Sequence, residues 1–169
     1  MVEQAPKSKA QSTTSSQSRQ RNQLRLVAWE ITRKCNLNCI HCRAGSEQGP
    51  YPGEMSTEKG VEILEQIREV GTPIVILTGG EPLLREDVFD LARKGTDLGL
   101  RMVMATNGTL LTPDIIEKMK DSGIQRVSIS IDGADERQHD EFRKVAGAYD
   151  RALAGIERLK AGGVEFQIN

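Results

Sequence analysis

Five short runs rich in β-branched and apolar residues alternate with stretches of helical periodicity, and this alternation constrains the fold more than any other feature of the chain. The runs are LVAWEIT (26–32), IVILT (74–78), MVMAT (102–106), VSISI (127–131) and VEFQI (164–168). Between the first two, Thr57 to Val70 places Val61, Ile63, Leu64, Ile67 and Val70 at helical spacing, with Ser56 as N-cap and Gly71 as the stop. Asp87 to Leu98 repeats the pattern with Val88, Leu91, Ala92 and Leu98 before Gly99. Thr112-Pro113 opens a third helix, which carries Ile115, Ile116 and Met119 and stops at Gly123, and a last helix is expected from Ala148 to Ala161. Strand and helix in strict turn require an α/β fold with a parallel sheet and right-handed crossovers, either doubly wound or a (βα) barrel.

The first 23 residues hold almost nothing that could be buried, so a disordered tail (1–23) is expected before a single domain (24–169). Across all 169 residues, 23 Lys and Arg stand against 24 Asp and Glu, with one Trp, two Tyr and three Phe. That balance supplies neither the cationic field nor the stacking rings of a general nucleic-acid binder. No run approaches the roughly 20 apolar residues of a membrane span, and the N-terminus lacks the apolar core of a signal peptide. A cytoplasmic protein is expected.

The three cysteines, Cys35, Cys39 and Cys42, fall within eight residues directly after the first strand. An odd, clustered set without a secretion signal reads as a metal site rather than a disulfide framework. Three thiolates on one loop can wrap an inorganic cluster while leaving one iron of a [4Fe–4S] unit without a protein ligand. The competing reading is a structural zinc with His41 as fourth ligand. His41 directly precedes Cys42, which makes joint ligation awkward.

Unusual residues also follow the next three strands: Gly79-Gly80-Glu81-Pro82, then Thr106-Asn107-Gly108, then Ser130-Ile131-Asp132-Gly133. Glycines at a strand end let backbone approach a ligand closely, and Glu81 adds a carboxylate able to accept from an ammonium. The period of two puts Ser128, Ser130 and Asp132 on one face of the fourth strand and Val127, Ile129 and Ile131 on the other. On the first strand, Val27, Trp29 and Ile31 share the outward face, and Ala28, Glu30 and Thr32 the inward one. Parallel sheets normally carry apolar residues on both faces, so the polar side implies a ligand-lined lumen. Chemistry at the C-terminal ends of successive strands favours a barrel over a doubly wound sheet.

These motifs, in this order from about Leu24 to Asn169, resemble the radical S-adenosylmethionine (SAM) enzymes. The resemblance implies a partial, TIM-like (βα) barrel, here truncated after the fifth strand, in which Cys35, Cys39 and Cys42 hold a [4Fe–4S] cluster whose open iron is chelated by SAM. It further implies that Gly79, Gly80 and Glu81 receive the SAM amino group, that Asn107, Ser130 and Asp132 lie along its carboxylate and ribose, and that Arg143 pairs with its carboxylate. A surface ion pair is the alternative for Arg143, and no catalytic residue beyond the cluster is implied. The residue before the third cysteine is usually aromatic in this superfamily; here it is His41, which can still lie flat near adenine.

Around the cluster, the sequence looks most like members with a C-terminal, SPASM-type cluster-binding extension, above all those that decarboxylate didecarboxysiroheme to heme. Heme d1 biosynthesis enzymes and peptide-modifying maturases come next. The implied chemistry is reductive cleavage of SAM to a 5′-deoxyadenosyl radical, which takes a hydrogen atom from a tetrapyrrole propionate so that loss of carbon dioxide leaves a vinyl group. The substrate is then a tetrapyrrole or a peptide, and the electron donor a flavodoxin or ferredoxin. A non-catalytic metal-binding module is the reading from outside this class. With further strands and an extension expected beyond Asn169, the outer face of Val164, Phe166 and Ile168 is expected to lack cover. Met102 and Met104 are expected in the core, His139 on a helix surface, and Arg33, Lys34 and Arg43 around the cluster, where they could offset its charge.

Overall fold

A computed structural model describes residues 24–46, 48–49 and 51–169; the expected tail, 1–23, lies outside the described residues. Five strands, β1 (Leu26–Thr32), β2 (Ile74–Gly79), β3 (Arg101–Thr106), β4 (Arg126–Ile129) and β5 (Phe166–Ile168), pair in parallel in the order β1-β2-β3-β4-β5. The intervening helices are α1 (Thr57–Val70), α2 (Val88–Asp97), α3 (Pro113–Asp121), α4 (Glu136–Arg143) and α5 (Ala148–Ala161). Because order in space equals order in sequence, every crossover steps the same way and the helices gather on one face. A doubly wound sheet would reverse its order partway and carry helices on both faces.

The register brings the apolar side chains of that face together. Trp29, Leu77, Met104, Val127 and Phe166 form one row across the five strands. They share a core with Leu64 of α1, Leu91 of α2, Met119 of α3 and Leu159 of α5. Met102 and Met104 are fully buried, as expected. Each such side chain contributes about 1.5–3 kcal/mol through removal from water. The opposite, inner face is far less covered. Ile76, Val103, Ala105 and Ser128 line an open cavity of about 260 Å³ there, the arrangement of a partial barrel.

Local signals start the helices where the sequence places them. The Ser56 hydroxyl accepts from Lys59 N–H at the head of α1, and the Thr112 hydroxyl accepts from Ile115 N–H with Pro113 opening α3. Three expectations require correction. β4 ends at Ile129, so the alternation that put Asp132 on the face of Ser128 does not reach it; the Asp132 N–H turns instead to His139 Nδ1, 3.2 Å away. β5 is shorter than expected, and of Val164, Phe166 and Ile168 only Ile168 lacks cover, at 55% exposed. Helix α5 covers Val164, whose N–H reaches the Leu159 carbonyl at 3.0 Å and whose side chain joins the core.

The third correction concerns His139, which is fully buried rather than on a helix surface. α4 carries no apolar repeat, and His139 and Arg143 are its two buried residues. Gly133 makes room for this packing, because a Cβ there would lie 2.5 Å from His139 N. The ring tilts against Tyr149 at 5.5 Å. Burial, with the nearby Arg143 charge, holds the imidazole pKa below its usual value, in keeping with a neutral ring whose Nδ1 accepts.

Candidate functional site

The cysteine loop leaves the C-terminal end of β1 and is fastened on three sides. Toward β2, Gly80 N–H donates to Thr32 O at 2.9 Å and Glu81 N–H to Lys34 O at 2.7 Å. At the end of β3, Asn107 Nδ2 donates to Asn36 Oδ1 at 2.9 Å, and Asn36 Nδ2 donates to Thr109 Oγ1 at 2.8 Å. From α4, the carbonyls of Phe142 and Arg143 accept from Ile40 and Asn38 N–H at 3.0 and 3.1 Å. A helix C-terminus has carbonyls without intrahelical partners, and here the loop uses two of them. Beneath it, Leu37 and Cys35 pack with Ala148 in a small separate core.

The three thiols line one cleft of about 220 Å³ together with Gly79, Gly80, Asn107 and Arg143. Their environments differ. Burial pushes the Cys35 thiol pKa up, and the surrounding acidic groups reinforce the rise against a hydrogen bond from Leu37 N–H at 3.4 Å. Burial raises Cys42 as well, but N–H groups at Ser46, Ala44 and Gly45 outweigh it and leave that thiol below its usual value. Cys39 Sγ accepts from Arg143 Nη1 at 3.2 Å. His41 stacks on Phe142, ring centroids 4.5 Å apart at 22°.

The remaining expected residues fall into two groups. Gly79, Gly80, Asn107 and Arg143 reach the cleft beside the thiols; Glu81, Ser130 and Asp132 are not in its lining. The glycines serve close backbone approach to β1 and the loop. A Cβ on Gly79, at φ 134°, would lie 2.2 Å from Thr32 O, and one on Gly80 2.2 Å from Lys34 O. Gly80→Ala is therefore expected to cost about 1–3 kcal/mol and loosen the cysteine loop, which denaturant titration and thiol accessibility can measure. Unchanged stability and accessibility would count against this packing role.

Glu81 is fully buried. Its Oε1 accepts from Thr106 Oγ1 at 2.8 Å and Leu83 N–H at 3.1 Å, and its Oε2 from Thr106 Oγ1 at 2.9 Å and Asn107 N–H at 2.8 Å. The single Thr106 hydroxyl proton is shared between the two oxygens, so three donors, Thr106, Leu83 and Asn107, hold the carboxylate in place. Ser130 is half-buried beside β5. Arg143, only 7% exposed, forms an ion pair with Asp132, which is itself exposed, so the pair runs from a buried guanidinium to the surface. Asn36, Thr109 and Phe142 were not singled out in the sequence. The one hint was that Asn36 lies between two of the cysteines, since the partners of all three come from distant elements.

The donor set fits a [4Fe–4S] cluster. Three free thiols open on one cleft, and in such a cluster each thiolate takes a different iron. A single zinc ion instead needs four ligands converging on one point at about 2.0–2.3 Å. Among the described residues no three His, Cys, Asp or Glu side chains converge in that way.

A family model described as "Radical SAM superfamily" matches residues 29–169. The AdoMet-dependent heme synthase of Methanosarcina barkeri is 54% identical over 148 residues, which cover 88% of this chain and 42% of that protein. The enzyme of the same name from Nitratidesulfovibrio vulgaris is 52% identical over 145 residues, 86% of this chain and 40% of that protein. The chain thus spans about two-fifths of the length of these relatives. Among solved structures, Streptococcus suis SuiB bound to S-adenosylmethionine superposes with a TM-score of 0.73 at 23% identity, covering 86% of this chain and 33% of that one. The likeness extends to the fold. No helix among the described residues is long and apolar enough to cross a membrane.

Proposed function

The chain belongs to the radical SAM superfamily, and on that premise we propose that it catalyses radical oxidative decarboxylation of tetrapyrrole propionates to vinyl groups in heme biosynthesis. The observation that carries this reading is 54% identity, over 148 residues, to an AdoMet-dependent heme synthase. Enzymes of this superfamily use a [4Fe–4S] cluster and SAM; when bound, the pair supplies one electron and a 5′-deoxyadenosyl radical able to take a substrate hydrogen atom.

Cys35, Cys39 and Cys42 would hold three irons, and the loop ties from β2, β3 and α4 fix where the sulfurs can sit. At the cleft wall, the backbone of Gly79 and Gly80 would receive the SAM ammonium. The Glu81 carboxylate would shape that wall from behind rather than accept from the ligand itself. Asn107 would stand toward the SAM carboxylate, Ser130 and Asp132 toward the ribose, and Arg143 at the junction of thiols and carboxylate. The inner face, with Ile76, Val103 and Ala105, would offer an apolar wall that limits access of water to the reacting propionate. A flavodoxin or ferredoxin in the cytoplasm would be the one-electron donor.

The test is anaerobic turnover of the reconstituted protein, expressed from its complete coding sequence, with SAM, a reductant and didecarboxysiroheme. Formation of 5′-deoxyadenosine together with loss of carbon dioxide from the tetrapyrrole is the expected result, read by mass spectrometry. SAM cleavage that leaves the tetrapyrrole mass unchanged would overturn the substrate while leaving the radical chemistry in place.

A further inference from the structure

Arg143 joins the cysteine loop to the Asp132 turn. It is 7% exposed, and its Nη1 donates to Cys39 Sγ at 3.2 Å. Its other terminal nitrogen pairs with Asp132, and its Nε is buried without a partner among the described residues. The backbone holds the same geometry, since Arg143 O accepts from Asn38 N–H, one residue before Cys39. Asp132 is held in turn by its N–H to the buried His139 Nδ1 at 3.2 Å. A guanidinium withdrawn from water in this way acts on its neighbours with little screening.

Reducing the cluster by one electron adds a negative charge close to the cysteine sulfurs. A hydrogen-bond donor bearing positive charge on one of those sulfurs stabilises the reduced form more than the oxidised form and raises the potential. A carboxylate paired with that donor works in the opposite sense. We propose that Arg143 sets the reduction potential of the cluster through Cys39 Sγ, with Asp132 as the counter-charge that limits the rise. The proposal rests on the assignment of the cluster to Cys35, Cys39 and Cys42. Arg143 is a positioning and tuning residue here, a role separate from any contact with SAM.

The two partners predict shifts of opposite sign, which loss of packing alone does not produce. In the reconstituted holoprotein without SAM, Arg143→Gln should lower the reduced-to-oxidised ratio at a fixed poise. A tenfold fall corresponds to about 59 mV for a one-electron couple. Asp132→Asn should raise the ratio, and Arg143→Lys, which keeps the charge, should recover part of the loss. Potentiometric titration followed by electron paramagnetic resonance reads all three.

Shifts of the same sign in the Gln and Asn variants, or none, overturn the proposal. Unchanged potential with weakened SAM binding overturns it too, and leaves Arg143 as a SAM carboxylate partner only. If Arg143→Gln fails to take up iron, Asp132→Asn decides alone: a raised potential supports the proposal and an unchanged or lowered one overturns it. A wild-type protein that holds no iron and sulfide refutes the cluster assignment itself, and the proposal with it.

Discussion

A Cys39→Ala protein is expected to emerge from anaerobic reconstitution without its cluster, and Cys35→Ala and Cys42→Ala likewise. The sequence holds three cysteines, all in this loop, and a [4Fe–4S] cluster already short of one protein ligand has no margin for losing another. The fold itself should survive. Cys39 and Cys42 are half-buried, and Cys35 sits in the small satellite core rather than under the sheet. Each substitution should therefore cost on the order of 1 kcal/mol, visible as unchanged circular dichroism beside the loss of iron, sulfide and SAM cleavage. Wild-type iron content in any of the three would contradict the assignment. Zinc without sulfide in the parent protein would revive the single-ion alternative.

What could be read from the sequence and what could not divide along the range of the interactions. Ser56 capping α1 and Thr112-Pro113 opening α3 are local events, so their positions follow from a few neighbouring residues. The alternation of Val27, Trp29 and Ile31 likewise located the core face of β1, because a strand face needs only a period of two. The cysteine spacing announced the centre itself. α4 was not legible as a packed element: Glu136 to Arg143 has no apolar stripe, and its buried face consists of His139 and Arg143. A buried histidine there depends on the absence of a Cβ at Gly133 and on an acceptor role toward Asp132, neither of which is encoded nearby. The glycines after β2 signalled close approach, but the contacts with Thr32 O and Lys34 O were not legible, since those atoms lie more than forty residues away in the chain. Arg143 is the sharpest instance: its contact with Cys39 spans 104 residues.

Glu81→Ala is expected to destabilise the chain by about 3–5 kcal/mol, because it leaves the Thr106 hydroxyl and the Asn107 and Leu83 N–H groups without an acceptor inside the protein. The cleft should suffer with it. Asn107, one of those three partners, also binds Asn36 of the cysteine loop, so SAM binding and cluster retention should fall together rather than SAM binding alone. Glu81→Gln keeps the shape and most acceptances on one oxygen and should cost less. Wild type and Glu81→Gln also separate through pH. Burial raises the Glu81 pKa to about 6, against hydrogen bonds from Asn107, Thr106 and Leu83 that favour the charged form. In the unfolded chain the carboxyl titrates near its ordinary value of 4.5, so between these values the folded state binds more protons than the unfolded one. Stability then falls as pH rises through that window and levels off above about 6. The carboxylate group works against folding at neutral pH by roughly 2 kcal/mol on this account, even while its hydrogen bonds organise the end of β3. Chemical denaturation of wild type and Glu81→Gln from pH 4 to 8 checks this on the protein itself. The wild type should lose stability across the window relative to the Gln variant, and parallel pH profiles would mean that Glu81 does not carry the effect.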